Sequence, residues 1–122
     1  MPNAAWKSVE RRVCAFLGCV RTGPTGDSGP DCTCKDSLLA IQIKHREGLP
    51  EWLLGMVHDT IQQAGEGRYP ILVLYPKGYE TSQSLAITPL KYMRELLVRA
   101  GQIHDTMESN LKEEVESDGH SD

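Results

Sequence analysis

The 122-residue chain has no apolar run that approaches the 18 or more residues of a membrane-spanning helix. It also shows no signal-peptide pattern. A membrane span is therefore not expected, and the expected location is cytoplasmic. No Cys-x-x-Cys pair and no paired histidines at ligand spacing occur, which removes the common zinc-finger patterns. Internal repeats and base-reading motifs are absent too. Basic residues do not dominate: 13 Lys and Arg stand against 17 Asp and Glu, for a net charge of −4. The chain thus lacks the large basic footprint of many nucleic-acid-binding proteins. Cysteine is missing from the last two thirds. Cys14, Cys19, Cys32 and Cys34 all lie near the start. Without a secretory signal, disulfides are not expected. The plain reading is four small buried residues on a helix and a strand; a zinc set or a redox role are the alternatives.

What is present fits a soluble globular chain: 25% charged and 39% hydrophobic residues. Length suggests one domain, over residues 1–103. Residues 104–122 set Lys112 against Asp105, Glu108, Glu113, Glu114, Glu116, Asp118 and Asp122. This acidic tail is expected to be partly disordered, and the body before it is slightly basic. Such a body permits contact with nucleic acid without requiring it.

Periodicity sets the elements. Trp6, Val9, Val13, Phe16 and Leu17 form a helical stripe over Ala5 to Leu17, and Gly18 suits its end. Cys19-Val20-Arg21 reads as a short strand. Thr22 to Pro30 is a Gly/Pro/Ser/Thr loop. Pro50 opens a second helix, with Trp52, Leu53, Met56, Val57, Thr60, Ile61 and Ala64 on one stripe up to Gly65. It is expected to cover the sheet. His58 reads as a surface or core-edge residue. Tyr69 to Tyr75 is a continuous apolar run, expected to be a buried central strand. Leu85-Ala86-Ile87 is a weaker strand. Thr88 and Pro89 then start a third helix as cap and first residue. Its stripe is Leu90, Met93, Leu96, Leu97 and Ala100, leaving Lys91, Arg94 and Arg99 on a solvated or DNA-facing side. Ile103, Met107, Leu111 and Val115 recur every four residues, as a marginal helix or a dimer contact.

Gly29 to Lys44 reads as a β-hairpin around Lys35-Asp36-Ser37. A two-residue turn at Asp36-Ser37 pairs Lys35 with Leu38 and sets Asp31 opposite Gln42. Opposed residues share a face, with Cβ atoms roughly 4.5–5.5 Å apart. The period of two puts Lys44 beside them. Leu39, Ile41 and Ile43 take the other face, which can be buried. A three-residue loop would slip the register and send Gln42 and Lys44 to the opposite face from Asp31.

Pro30-Asp31, eleven residues, and Gln42-Ile43-Lys44 resemble the PD-(D/E)XK nuclease superfamily. Glu10-Arg11-Arg12-Val13, Gly18, Arg21, Gly48-Leu49-Pro50-Glu51-Trp52-Leu53 and Gln63-Ala64 are similar to its small phage and bacterial Holliday junction resolvase-like group. The likeness covers roughly residues 5–100. It implies an α/β, restriction-endonuclease-like core with a central mixed sheet flanked by helices. The predicted element order, a helix, a strand, a hairpin, a helix, two strands and a helix, agrees. The implied activity is metal-dependent endonucleolytic hydrolysis of DNA, with branched DNA as a candidate substrate, by a homodimer in a bacterial or phage-infected cell. One position departs from the pattern: Gln42 stands where the family usually has Glu or Asp.

The resemblance implies roles for named residues. Asp31 is the firm ligand of Mg²⁺ or Mn²⁺, with the Gln42 side-chain oxygen and the Ile43 carbonyl as weaker ones. Glu10 holds a metal-bound water or second ion; a surface pair with Lys7 or Arg12 fits it equally well. Lys44 orients water or stabilises phosphate charge. Arg12, Arg21, Arg46 and Gln63 are the candidate DNA contacts, and Asp27 is a second, weaker acid. The alternative function is a non-catalytic DNA- or protein-binding protein that keeps the nuclease fold, its metal site weakened by Gln42.

Overall fold

The structure is a computed structural model and describes residues 3–22, 29–34 and 38–104. The elements are α1 (Asn3–Phe16), β1 (Val20–Arg21), β2 (Cys32–Thr33), α2 (Glu51–Ala64), β3 (Leu72–Leu74), a 3₁₀ turn (Thr81–Gln83), β4 (Leu85–Ile87) and α3 (Leu90–Arg99). They divide into two compact units. One runs to His45 and resumes at Leu96; the other is Arg46–Glu95.

The first unit is a helix on a minimal sheet. α1 stops where Gly18 takes φ 74°, a left-handed conformation that costs glycine no Cβ clash. The chain turns at once, and the Cys19 amide donates to the Cys14 carbonyl at 2.8 Å. β1 and β2 pair antiparallel, Val20 with Thr33 and Arg21 with Cys32. On its other side Cys32 bridges Ile41, again antiparallel, so β2 is the middle strand. The core is Cys14, Leu17, Cys19, Cys32, Cys34, Ile43 and Ile103, with Val9, Val13, Leu39, Ile41, Leu97 and Val98 packed on it. At the end of α3, Gly101 has φ 77°. The Gln102 amide returns to the Leu97 carbonyl at 2.9 Å, and Ile103 drops into this core. Ile103 is thus a core residue and is not free to serve a dimer contact. Met107, Leu111, Val115 and the rest of the acidic tail lie outside the described residues, as do Asp27 and the turn Lys35-Asp36-Ser37.

The cysteines overturn the expectation of free thiols. Cys14 is bonded to Cys32 and Cys19 to Cys34. The Cα separations are 5.6 and 4.5 Å, inside the usual span for a disulfide. A missing secretory pattern bears on compartment; it has no bearing on whether a helix end and a strand bring two pairs of sulfurs together.

In the second unit, α2 begins after Pro50, whose carbonyl accepts from the Leu53 and Leu54 amides at 3.1 Å. It closes at Gly65, with φ 65°. Arg68 then reaches back to the Ala64 and Gln63 carbonyls at 2.9 and 2.8 Å, satisfying acceptors that a helix end leaves open. β3 and β4 are antiparallel, Leu72 opposite Ile87 and Leu74 opposite Leu85. α2 packs on β3. Leu72 and Leu74 are half-buried, but Ile71, Val73 and Tyr75 are exposed. The run is therefore one strand of a two-stranded pair with an open face; the expected buried central strand is not formed. Two further expectations change. The Thr88 hydroxyl is buried without a partner, while the Pro89 carbonyl accepts from Tyr92 and Met93, so Pro89 holds the capping position of α3. Arg94, expected on a solvated side, is buried.

The described residues thus form a small α/β chain with three helices and two antiparallel strand pairs. One central mixed sheet is not formed among them. The run from Leu38 to Ile43 contributes a single bridge at Ile41 where a full strand was expected. Pro30 explains part of this, because it has no amide to continue the ladder beyond Asp31.

Candidate functional site

The site is built on the edge where β2 meets the segment from Leu39 to Lys44. Cys32 opposite Ile41 is the pairing that the two-residue turn predicts. One step out no further bridge forms among the described residues, and the Asp31 amide bonds the Ile41 carbonyl. Burial alternates in the same sense. Cys32 and Ile43 are buried and Leu39 and Ile41 half-buried, while Gln42 and Lys44 are exposed and Asp31 is half-buried. The polar triad and the apolar face therefore separate as the period of two requires.

Asp31 is held at both its amide and its carboxylate. Its amide donates to the Ile41 carbonyl at 2.7 Å. Its Oδ2 accepts from the Ile43 amide at 2.6 Å. The carboxylate thus takes the place of a backbone acceptor where Pro30 interrupts regular pairing. This restrains the side chain along the segment that carries Gln42 and Lys44, and Oδ1 has no hydrogen bond among the described residues. A charged acceptor makes this a strong hydrogen bond.

Glu10 meets neither Lys7 nor Arg12. It is buried at 7% exposure, and its Oε1 accepts from Arg21 Nε at 2.7 Å. The pair joins α1 to β1, and its arginine sits beside Cys32 in the ladder. Arg21, expected at phosphate, is half-buried and holds this internal partner. Cys14, one turn after Glu10, places its Sγ 3.6 Å from the Asp31 carbonyl oxygen. Glu10, Arg21 and Asp31 are therefore assembled around the Cys14–Cys32 bond. Sequence reasoning missed this ion pair, although both residues had been singled out. The available signal was that each charge lies at the edge of a buried stripe, where an unpaired charge is costly.

Other candidates fall elsewhere. Arg12 is exposed on α1. Arg46 and Gln63 belong to the second unit and are exposed. Gln63 lines an open pocket of about 240 Å³ with Thr60, Ala64, Arg68, Tyr69, Pro70 and Ile71. His58 is exposed, and its Nε2 lies 3.2 Å from Nε2 of its helix neighbour Gln62. Beside Lys44, the His45 ring stacks on Trp6 at 6.1 Å between centroids and 8° between planes. That contact ties the start of α1 to the end of the strand segment.

Among the described residues no three of His, Cys, Asp and Glu come together as a metal-binding group. The oxygen donors present are the Asp31 carboxylate and the Gln42 amide, with Glu10 already neutralised by Arg21. A hard cation that keeps several of its waters can be held by one or two carboxylates, so this set fits Mg²⁺ or Mn²⁺ with the minimum of protein ligands. No protein-family model, no curated protein and no solved structure matches the chain.

Proposed function

We propose that this chain is a metal-dependent DNA endonuclease of the PD-(D/E)XK kind, built on a restriction-endonuclease-like core and acting on branched DNA as a two-fold dimer. The observation that carries the reading is the bridge between Cys32 and Ile41, with Gln42 and Lys44 exposed, Asp31 half-buried and Ile43 turned inward. Asp31 Oδ1 and the Gln42 amide oxygen would hold Mg²⁺ or Mn²⁺, with the Ile43 carbonyl beside them. When bound, the ion supplies Lewis acidity at the phosphate and a more acidic water. The Ile43 amide restrains the carboxylate through Oδ2 at 2.6 Å. Lys44 offers a cation to the charge that develops on phosphate.

The test is cleavage of labelled linear, single-stranded and four-way-junction DNA with Mg²⁺ or Mn²⁺. Native protein is expected to cut, and K44A to lose at least about a hundredfold in rate, the order of an electrostatic catalytic group. Full activity in K44A would sink the assignment.

The Glu10–Arg21 pair favours a second reading, a DNA- or protein-binding protein that keeps the nuclease fold. With Glu10 paired to Arg21 and Gln42 uncharged, Asp31 is the one carboxylate of this edge among the described residues that is not in an ion pair. Here native protein binds without cutting at any metal concentration, and Q42E, which restores a second carboxylate, gains cleavage. Metal-dependent cutting by native protein that D31N abolishes would dispose of this reading.

A further inference from the structure

We propose that the candidate site is assembled only in the oxidised chain, so that a dithiol reductant dismantles it by opening Cys14–Cys32 and Cys19–Cys34. The redox dependence of the fold stands on the geometry alone; its consequence for cleavage rests on the nuclease reading above.

The argument starts from the composition of the core. The buried apolar side chains among the described residues are Cys14, Leu17, Cys19, Cys32, Cys34, Ile43 and Ile103. Four of these seven are half-cystines, so the centre of the core is built largely on the two cystines. β1 and β2 have two residues each, and the third strand adds one bridge at Ile41. Strands this short are not stable without packing or cross-links. Both bonds join the same two segments, the end of α1 with its following turn and the β2 strand. Opening one leaves the other as a tie. Opening both leaves Leu17, Ile43 and Ile103 as the buried residues that would hold α1 to the sheet.

The site contacts sit on either side of the inner bond. Glu10 lies four residues before Cys14, on the same face of α1. Its partner Arg21 is paired with Cys32 in the ladder. The Cys14–Cys32 bond thus sets the distance across which Glu10 reaches Arg21. Cys32 is also the neighbour of Asp31 and the bridge partner of Ile41, so release of β2 frees the Asp31 carboxylate from the Ile43 amide. Access orders the steps. Cys19 and Cys34 are 8% and 7% exposed, against 1% for both Cys14 and Cys32. A reductant thiolate attacks a sulfur of Cys19–Cys34 first and forms a mixed disulfide, and the other cysteine leaves as thiolate and takes a proton. The second thiol of the reductant resolves the mixed disulfide. Each cystine gains two electrons and two protons, and each dithiol consumed becomes a disulfide. Loosening at the outer bond then admits the same exchange at Cys14–Cys32.

The test uses the full chain in three states: oxidised, reduced with dithiothreitol, and reoxidised. Free thiols are counted, and amide hydrogen exchange is followed over residues 29–45. Reduction is expected to lower protection there at least about tenfold, as for local unfolding, and reoxidation to restore it. The pair C19S/C34S should keep most of that protection, C14S/C32S, which retains the outer tie, should lose more of it, and the fourfold serine variant should lose it as the reduced chain does. Unchanged protection after both bonds are reduced overturns the proposal, as does an oxidised chain that still titrates four thiols. Cleavage of junction DNA is measured on the same samples. Cutting confined to the oxidised states supports the regulation. Reversible loss of protection, with no cutting in any state, upholds the redox dependence and fails the nuclease reading alone.

Discussion

At the scale of single residues, Asp31, Glu10 and Lys44 carry three different kinds of consequence. Lys44 is exposed, so K44A should leave stability within about 0.5 kcal/mol of native while any catalytic role is lost. Urea unfolding beside the cleavage assay separates the two. Glu10 is buried and paired. E10A leaves the half-buried Arg21 guanidinium without its carboxylate, and should cost about 2 kcal/mol, below the penalty for a fully buried pair. The double variant E10A/R21A should cost less than the two single losses added, because no charge is left unpaired. Additive losses in a denaturation cycle would mean that the pair contributes no coupling. For Asp31, D31N keeps an oxygen for the Ile43 amide but loses the charge; a loss of about 1 kcal/mol is expected. The sequence marked all three residues, since each sits at a definite place in a helical or strand period. It did not show that Glu10 turns to Arg21, because a helix and a strand can be docked at many angles and only packing selects one.

At the scale of elements, the helix ends were the most legible. Gly18, Gly65 and Gly101 close α1, α2 and α3 with positive φ, as expected of glycines placed just beyond an apolar stripe. G18A should therefore destabilise the first unit by about 1 kcal/mol or more, read as a lower midpoint in urea. The strands were less legible. Val73 was expected in a buried run, yet it lies 58% exposed on the open face of β3. Replacing it with threonine should change stability by no more than about 0.5 kcal/mol, whereas a threonine in a buried central strand would cost considerably more. A short apolar run carries no period that separates a strand buried on both faces from one buried on a single face. The number of neighbours decides, and among the described residues β3 has one strand partner, β4.

At the scale of the whole molecule, the disulfides govern behaviour. Trypsin cutting after Arg12, Arg21 and Lys35 yields peptides 13–21 and 22–35. The first carries Cys14 and Cys19, the second Cys32 and Cys34. Without reductant the two should run as one species in mass spectrometry, and with reductant they should separate. Separate peptides from an unreduced sample would contradict the pairing. Each bond closes a loop whose cross-link stabilises by roughly 3 kcal/mol, comparable to a large share of the stability of a small domain. The thermal midpoint should therefore fall by many degrees in reductant.

The sequence by itself determined the three helices and their glycine ends, because these follow from the local period of 3.6 and from glycine stereochemistry. Only the tertiary structure decided that four cysteines become two cystines, that Arg21 is spent on Glu10 rather than left for phosphate, and that the strands form two antiparallel pairs. Those outcomes depend on distances between segments far apart in the chain, and such distances are set by how a helix docks on a sheet, which no local pattern encodes.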